Sequence, residues 1–525
     1  MSGTNGQSIA ELIAENDGLR AANAELHQRV LVAEKLYHIA EQERVAQVQV
    51  LEALKAELDV LKRHVFGKRS EKMPNIQGEL QRKKNAKPDP NKERQRRKEN
   101  KEKKAGLETE QVEHPVNREE EPPCPVCNRE AEEFTPVGEG RETIIFEYVP
   151  ARFIRRRHLQ HVLACPCKEH IVVAKGPIKL GEGGGNYGPG FVAHLMVSRA
   201  LDAIPFYRME KQFQRLDIPM ARSTMVTLFH RYAADLKPLV DRLTEIVAAS
   251  DVVLADETPH QMQDKAGTGE AGKGYMWVFI AGNNVVYRFN ASRSGETPKE
   301  VLKGTSGTLV VDAYTGYNAI TGPDGRTRAA CMAHVRRKFY NALKSGCQEA
   351  QVALDYILDI YHVEHDAKAA GVTRQPRHME MRRARSGPIM ESFHRWLLAN
   401  EQSYPPKGTM GNAILHALKN WQALTEFLKS EQIPVDNNLS EASLRIVALS
   451  RKNSLSIGHD EAGENLARVL TMAVTCQANG VNPLEYLADI LLRVQNWPHE
   501  HIDDLLPASW LRLKEAGQLP PLNPA

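Results

Sequence analysis

Three acidic segments hold the residues best suited to metal-assisted chemistry. Asp256 follows the run Asp251–Ala255, Asp312 follows the run Thr308–Val311, and Glu441 lies much further along the chain. Both runs are rich in β-branched residues, which predicts buried strands that end at the first two carboxylates. Carboxylates that meet at the rim of a sheet can hold two Mg²⁺ ions, which stabilise the attacking and leaving oxygens of a phosphodiester. The pattern predicts an enzyme that cuts and rejoins nucleic acid.

The region around the first two acids predicts a mixed sheet followed by a helix. The expected strands are 251–255, 274–280, 284–289, 308–311 and 328–332. The second and third strands form an antiparallel hairpin beside parallel strands, and acids end the first and fourth. This arrangement is typical of a ribonuclease-H-like fold, in which the first and fourth strands are neighbours. Asp256 and Asp312 would therefore meet at the centre of the sheet.

The third acid is expected at the start of a later helix. Asp436, Asn437 and Asn438 predict a helix start, because Asp and Asn side chains accept hydrogen bonds from free backbone N–H groups. Glu441 follows in the first turns, and Arg445 lies one turn later on the same face. We interpret Glu441 as a metal ligand and Arg445 as a phosphate contact or orienting partner. The alternative for Glu441 is a solvated side chain paired with Arg445.

Length and composition limit the class of protein. The chain has 525 residues, of which 42% are hydrophobic, enough for about three or four domains. The 69 basic and 66 acidic residues leave a net charge of only +3. No apolar run approaches the roughly 18 residues that cross a bilayer, and the N-terminus does not resemble a secretory signal. Four of the seven cysteines are closely paired, which favours metal over disulfides. We predict a cytoplasmic protein.

Residues 8–67 predict a coiled coil. Leu12, Leu19 and Leu26 are seven residues apart, and apolar residues alternate by three and four across 51–65. Such a seam has to be buried against another helix, either in a second copy or in an intramolecular hairpin. In both alternatives, this segment mediates helix pairing.

Residues 68–122 predict a linker, because a highly basic stretch at 82–104 is followed by acidic residues with few apolar ones. The basic stretch is either an arm that binds DNA phosphates or a solvated tether.

Residues 123–175 predict a zinc ribbon-like module. Four thiolates would close a tetrahedron around Zn²⁺. They come from two pairs, Cys124 with Cys127 and Cys165 with Cys167. The second pair has one intervening residue instead of two, so His161 or His170 could replace a thiolate. Arg155, Arg156 and Arg157 could contact a phosphate backbone, and an exposed strand face is the alternative.

Residues 190–240 predict a helix-turn-helix. A helix over 204–216 ends at the break 217–219, and Ser223 is a plausible N-cap for the next helix. The residues expected to enter a DNA groove are Arg222, Ser223, Thr224 and Thr227. An ordinary helix pair without a role in DNA binding is the alternative.

Nearly the whole chain, from about residue 10 to 495, resembles the insertion sequence 66 family of transposases, TnpC type. The similar motifs are Phe66–Lys72, Leu201–Arg208, Asp256–Thr258, Asp312–Tyr317, Cys331–Phe339, Asp436–Glu441, Arg451–Asn453 and Asn479–Leu487. They follow the order of the family. The resemblance implies an N-terminal zipper, a zinc-binding domain, a helix-turn-helix and a D-D-E catalytic domain, with the triad at Asp256, Asp312 and Glu441. Departures are the shortened second cysteine pair and the segment 454–459.

The same resemblance places the remaining parts. The catalytic domain would cover 250–455, with a helical insertion at 341–430 and a helical segment at 456–515. In the insertion, Arg377, Arg382, Arg383 and Arg385 would lie near DNA, or else on a surface loop. Residues with supporting roles are Arg445, His334 and Lys452. The pair Cys331 and His334 is similar to a Cys-x-x-His element near some transposase active sites, and we interpret it as packing or substrate orientation.

The resulting expectation is a multidomain α+β DNA transposase that cleaves and joins the ends of a mobile element. It would use two Mg²⁺ or Mn²⁺ ions and a structural Zn²⁺, and act as a homo-oligomer, with or without accessory proteins, in the bacterial cytoplasm, bound to the nucleoid when on DNA. Its partners would be terminal repeats and target DNA. The alternatives are a catalytically silent DNA-binding regulator and a nuclease without strand transfer.

Overall fold

The computed structural model describes most of the chain beyond residue 187 and selected parts before it. The described residues are 14–38, 40, 42, 44, 94–95, 98–99, 102, 153–164, 171–173, 178–180, 187–263, 272–323, 325–454 and 456–522. Two compact units are formed, one by Gln77–Arg157 and one by Met1–Ile76 with His158–Ala525. The four cysteines predicted to bind zinc and most of the predicted linker lie outside the described residues.

The N-terminal part of the predicted coiled coil is helical. Residues 14–38 form a continuous helix in which Leu19, Leu26 and Leu36 are exposed. The helical part of the prediction is confirmed for these residues, and the pairing of the helix with another helix stays a prediction. In the smaller unit, Arg155, Arg156 and Arg157 are exposed in a segment without regular secondary structure.

A short hairpin and four helices precede the main sheet. Strands β1 (Val162–Ala164) and β2 (Ile171–Val173) pair antiparallel on either side of Cys165 and Cys167. The helices are α1 (Pro189–Ala200), α2 (Phe206–Arg215), α3 (Arg222–Asp235) and α4 (Lys237–Ala249). The predicted helix pair with a break between them is confirmed as α2 and α3. The predicted N-cap is wrong, because Ala221 occupies that position without a side-chain hydrogen bond and Ser223 lies inside the first turn.

The main sheet has five strands in the order β5-β4-β3-β6-β7. Its elements are β3 (Val252–Gln261), β4 (Lys273–Ala281), β5 (Asn284–Asn290), the helix α5 (Glu296–Leu302), β6 (Thr308–Val311) and β7 (Thr327–Ala330). β3, β4 and β5 pair antiparallel, whereas β3, β6 and β7 pair parallel. The apolar side chains of β4 from Met276 to Ile280 are fully buried, as the pattern of the sequence predicts for a central strand. The predicted neighbourhood of the first and fourth strands is confirmed.

The first strand is longer than predicted. β3 does not end before Asp256 but continues to Gln261, because β4 pairs with it as far as the partners Gln261 and Lys273. On its other side, the parallel pairing with β6 ends at Leu254 and Val310. Asp256 therefore lies within β3, at the point where only one neighbouring strand remains.

The region from the sheet to the third acid is helical, as predicted. Its helices are α6 (Met332–Lys344), α7 (Ala350–Ala369), α8 (Pro376–Met381), α9 (Gly387–Asn400), α10 (Thr409–Lys419) and α11 (Trp421–Leu424). A π-helical turn, Arg382–Ser386, joins α8 to α9. Aromatic side chains fill the interior of this region, where Phe393 packs against Phe339, Trp396 and Trp421.

The C-terminal helices pack directly on the sheet and on the first helices. They are α12 (Asn438–Asn453), α13 (Asp460–Ala478), α14 (Pro483–Arg493) and α15 (Pro507–Glu515). Thr471 and Thr475 of α13 accept hydrogen bonds from the N–H groups of Tyr287 (2.8 Å) and Val285 (3.1 Å) in β5. These bonds satisfy backbone groups that an edge strand would otherwise leave open. The predicted C-terminal segment is therefore part of the same packed unit as the sheet.

Among the described residues, none of the helices has both the length and the apolar character needed to span a lipid bilayer.

Candidate active site

The register of two parallel strands places the first two acids side by side. Leu254 in β3 pairs with Val310 in β6, so Asp256 and Asp312 each lie two residues beyond the last paired position. Asp256 is half-buried, and its Oδ1 accepts the backbone N–H of Glu257 at 2.9 Å. Asp312 directly follows β6, where the strand ends and the chain turns. The pair lies where the sequence predicted it, at the rim of the parallel half of the sheet.

The raised pKa of Asp256 indicates that the other two predicted acids lie near it. Burial raises the pKa of Asp256 to about 7, and the negative charges of Glu257, Asp312 and Glu441 add to the rise. Like charges raise a carboxyl pKa only when they are close enough to repel its ionised form. Asp312 and Glu441 therefore both lie within electrostatic reach of Asp256, although Glu441 is far from it along the chain.

Hydrogen bonds from the side chains of Asp312 and Arg328 to backbone groups hold the loop that follows β6. Asp312 Oδ1 accepts the N–H of Tyr314 at 2.9 Å. Arg328 Nη2 donates to the carbonyl oxygens of Asp312 at 2.6 Å and of Tyr314 at 2.7 Å. These bonds orient the Asp312 side chain, because they hold its own carbonyl group and the backbone of Tyr314.

Asn437 fixes the helix of the third acid to the strand of the first. Asn437 is 1% exposed and is the N-cap residue of α12. Its Nδ2 donates to the carbonyl oxygen of Ala255 at 2.7 Å, one residue before Asp256, and its backbone N–H donates to Cys331 Sγ at 3.2 Å. Asp436 accepts the hydroxyl of Tyr361 at 2.7 Å. The helix start predicted at these residues is confirmed, but its attachment to β3 is visible only in the structure.

Glu441 has neighbours other than the predicted one. Its Oε2 is 3.4 Å from Arg337 Nη2, and its Oε1 is 3.8 Å from His334 Nε2. Both partners belong to α6. Arg445 is exposed and forms no ion pair with any described residue. Its role as a phosphate contact or orienting partner stays a prediction. The helical spacing within α12 put Arg445 on the right face, but α6 supplies the nearer cation. Lys452 is exposed near the far end of α12.

A second carboxylate of β3 has a structural role that the sequence did not reveal. Glu257 Oε1 accepts Arg293 Nη2 at 2.7 Å, and its Oε2 accepts the hydroxyl of Tyr317 at 2.8 Å. The guanidinium of Arg293 lies 4.1 Å from the ring centre of Tyr314. Burial raises the pKa of Glu257, against the opposing effect of Arg293 and Tyr317. Glu257 thus ties the Asp312 loop to the sheet. Its only sequence signal is its position next to Asp256.

The donor atoms at the acid cluster suit a hard divalent cation. Asp256 and Asp312 each use Oδ1 for a backbone N–H, which leaves the other oxygen of each side chain without a hydrogen bond to a described group. Glu441 Oε1 is buried and has no hydrogen-bond partner in the part of the chain that the structure describes. Oxygen ligands of this kind are those that Mg²⁺ and Mn²⁺ prefer. The three acids could therefore hold these ions.

The residues predicted to bind DNA are found in different settings. Arg222 is exposed and forms an ion pair with Glu210 at 2.9 Å. Ser223 and Thr227 are exposed on α3, and Thr224 is half-buried. The placement of Arg382 near DNA is wrong, since its side chain is 1% exposed and bound within the helical region.

Comparison with known proteins gives two matches to family models and several relatives. Residues 184–465 match the model of the Transposase IS66 family, and residues 471–508 match the IS66 C-terminal element. The chain is 29% identical over 390 residues to "Uncharacterized protein y4jD" of Sinorhizobium fredii, covering 71% of this chain and 75% of the relative. It is 30% identical over 336 residues to "Uncharacterized protein y4qI" of the same organism, covering 60% and 61%. Because the first model spans more than half of the chain, and the second follows it directly, this protein belongs to the IS66 family of transposases.

Proposed function

We propose that this transposase cleaves DNA at the ends of a mobile element and joins those ends to target DNA, using Mg²⁺ or Mn²⁺ held by Asp256, Asp312 and Glu441. The observation that carries the proposal is the position of Asp256 and Asp312, each two residues beyond the last paired residues of β3 and β6, with Glu441 close enough to add to the raised pKa of Asp256. Cations bound between these acids would favour their ionised forms. The strand order, with an antiparallel hairpin beside parallel strands, supports a ribonuclease-H-like catalytic domain of the D-D-E type.

The roles of the chain's own residues follow from their positions. Asp256 and Asp312 would hold the ions from the sheet, and Glu441 would complete the set of ligands from α12. When bound, two Mg²⁺ ions supply an activated water or 3′-hydroxyl and stabilise the leaving oxygen. Asn437 keeps α12 at a fixed distance from β3, and Arg328 holds the Asp312 loop. No covalent protein–DNA intermediate is needed, so no nucleophilic Ser or Tyr is assigned.

DNA recognition and assembly are assigned to the other parts of the chain. The exposed Arg222, Ser223 and Thr227, together with Thr224, would contact the terminal repeats, with Arg155, Arg156 and Arg157 contributing phosphate contacts. Structural Zn²⁺ would be bound by the two cysteine pairs at 124–127 and 165–167. The exposed leucines of the N-terminal helix 14–38 would pair two copies, which brings two DNA ends together. His334 and Lys452 would support the catalytic site, and accessory proteins of the same element could join the assembly in the bacterial cytoplasm.

The decisive experiment compares Asp256→Asn with the wild type in a nicking assay on supercoiled DNA with Mg²⁺ or Mn²⁺. We expect loss of cleavage to the background of the assay with retained DNA binding, because the amide replaces a metal ligand while leaving the fold intact. Asp251→Asn is the matched control, since Asp251 is an exposed acid just before the same strand. Metal-dependent nicking by pure Asp256→Asn protein would refute the assignment.

Strand transfer is tested separately with pre-cut DNA ends. We expect the wild type to join these ends to a target plasmid and Asp312→Asn not to do so. Nicking without joining would instead identify a nuclease, and binding without either reaction would identify a silent regulator.

A further inference from the structure

A second possible metal site lies beside the acid cluster and has a different donor set. Ligand atoms of Cys331, His334 and Glu441 all lie within 4.8 Å of one another. Cys331 precedes α6, His334 lies in its first turn, and Glu441 arrives from α12. Two donors come from one Cys-x-x-His element, and the third is supplied only by the packing of two helices.

The local hydrogen bonding leaves this group incomplete. Cys331 is 2% exposed and forms no disulfide. His334 Nδ1 and Glu441 Oε1 are both buried without a hydrogen-bond partner among the described residues. A buried polar atom without a partner is destabilising, so two of them beside a thiol favour a ligand that contacts both. A cation that binds all three side chains would satisfy them together.

The surroundings favour a positive ion over a neutral group. The carboxylates of Asp436 and Glu441 lie within electrostatic reach of the Cys331 thiol. Their negative potential attracts a divalent cation. The N–H of Asn437 donates to Cys331 Sγ at 3.2 Å, and such outer bonds stabilise a thiolate ligand. Arg337, at 3.4 Å from Glu441, is the opposing positive charge.

We propose that Cys331, His334 and Glu441 bind a transition-metal ion of the Zn²⁺ class, separate from the Mg²⁺ pair of the acid cluster. A set of sulfur, nitrogen and oxygen donors is typical of zinc sites with three protein ligands and an open position. Binding releases the proton of the Cys331 thiol to solvent, since the thiolate is the ligand. Glu441 belongs to both sites and therefore connects them.

The test uses the full-length protein, freed of metal with a chelator and titrated with Co²⁺ in the absence of DNA and Mg²⁺. Co²⁺ bound to a thiolate gives a charge-transfer absorption band, which reports cysteine ligation directly. The predicted zinc module would also bind Co²⁺, so the site is measured as the difference between the wild type and Cys331→Ser. We expect the wild type to bind about one equivalent more Co²⁺ than this variant.

Two further variants make the result decisive. His334→Gln keeps every cysteine, and we expect it to weaken binding of the additional Co²⁺ by at least about tenfold. Cys347→Ser is the matched control, because Cys347 is a free cysteine outside the cluster, and we expect its Co²⁺ spectrum to equal that of the wild type. Circular dichroism checks that each variant is folded, and His334→Gln decides the question if Cys331→Ser does not fold. Equal stoichiometry and affinity in the wild type and His334→Gln would overturn the proposal. Because no DNA is present, this outcome is independent of the proposed DNA cleavage.

Discussion

Two groups of charged side chains in this protein have opposite properties. In the helical region between the sheet and α12, Arg382 is almost fully buried and donates to both oxygens of Glu364, at 2.8 and 2.7 Å. Its Nη1 is also bound, at 2.9 Å each, to the carbonyl oxygens of Phe427, Ser430 and Ile433. At the rim of the sheet, by contrast, the negative charges of Glu257, Asp312 and Glu441 add to the burial that raises the pKa of Asp256.

The contrast separates a cluster whose charges are paired within the protein from one whose charges are not. The Arg382 cluster balances its charge and satisfies its donors within the protein, so it fixes the positions of α7, α8 and the segment before α12. The acid cluster has an excess of negative charge and, among the described residues, oxygens without hydrogen-bond partners, which is the basis for the proposed cation site. Removing one partner of a paired buried charge, as in the Arg382 cluster, should destabilise the fold. Removing one of several close like charges, as in the acid cluster, should stabilise it.

The largest effect is expected from Arg382→Met, which leaves the half-buried carboxylate of Glu364 without the buried guanidinium that binds both of its oxygens. We expect a loss of about 3–5 kcal/mol in the free energy of unfolding, measured by urea denaturation. Arg383→Met is the control, because Arg383 is the exposed neighbour, and it should change stability by less than about 0.5 kcal/mol. Equal effects of the two variants would contradict the structural role of Arg382.

Asp256→Asn is expected to increase the free energy of unfolding of the metal-free protein, opposite to Arg382→Met. Removing one of three repelling carboxylates should raise the free energy of unfolding by about 1–2 kcal/mol at pH 8, because the folded state no longer holds an ionised Asp256 against its raised pKa. Thermal denaturation in the presence of a chelator measures this change. Asp251→Asn should leave stability nearly unchanged. Destabilisation by Asp256→Asn would show that the acid is a structural group, like Arg382.

The pH dependence sharpens the same comparison. The pKa of Asp256 is about 7 in the folded protein and 3.8 in the unfolded reference. The unfolded chain therefore releases this proton at lower pH, and the contribution of Asp256 to stability falls as pH rises from about 4 to about 7. Above pH 7 the contribution is constant. We therefore expect the stability gained by Asp256→Asn over the wild type to increase from about pH 4 to about pH 7 in metal-free buffer. A stability difference that does not change with pH would contradict the raised pKa of Asp256.

The smallest effect is expected at the cation beside Glu441. Arg337→Gln removes a positive charge 3.4 Å from the carboxylate, so Mg²⁺ meets less competition there. We expect the Mg²⁺ concentration for half-maximal cleavage to fall about two- to fivefold. Arg445→Gln, on the same helix as Glu441 but exposed and unpaired among the described residues, should leave this concentration unchanged. A lower Mg²⁺ requirement for Arg445→Gln, with no change for Arg337→Gln, would instead identify Arg445 as the partner of Glu441.

Much of the region from the sheet to Glu441 could be predicted from short-range patterns. The five strands and the helix start before Glu441 follow from β-branched runs, turn residues and capping residues, which act over a few positions. The adjacency of Asp256 and Asp312 is predicted from the strand arrangement of a ribonuclease-H-like fold, which is not a short-range pattern. The longer course of β3 could not be predicted, because the residues after Asp256 are polar and remain extended only through pairing with β4. The wrong N-cap at Ser223 is an error of two residues at a helix end.

The sequence alone determined which residue types stand where strands and helices begin and end, because local backbone preferences and apolar periodicity are properties of the chain itself. Only the tertiary structure decided which charges are satisfied. Arg382 and Arg383 are adjacent and chemically identical, yet one is bound to Glu364 and the other is exposed. The same holds for Cys331, His334 and Glu441, which meet because α6 and α12 pack together. Charge pairing and metal ligation depend on distances in space, and those arise only when separate elements fold against one another.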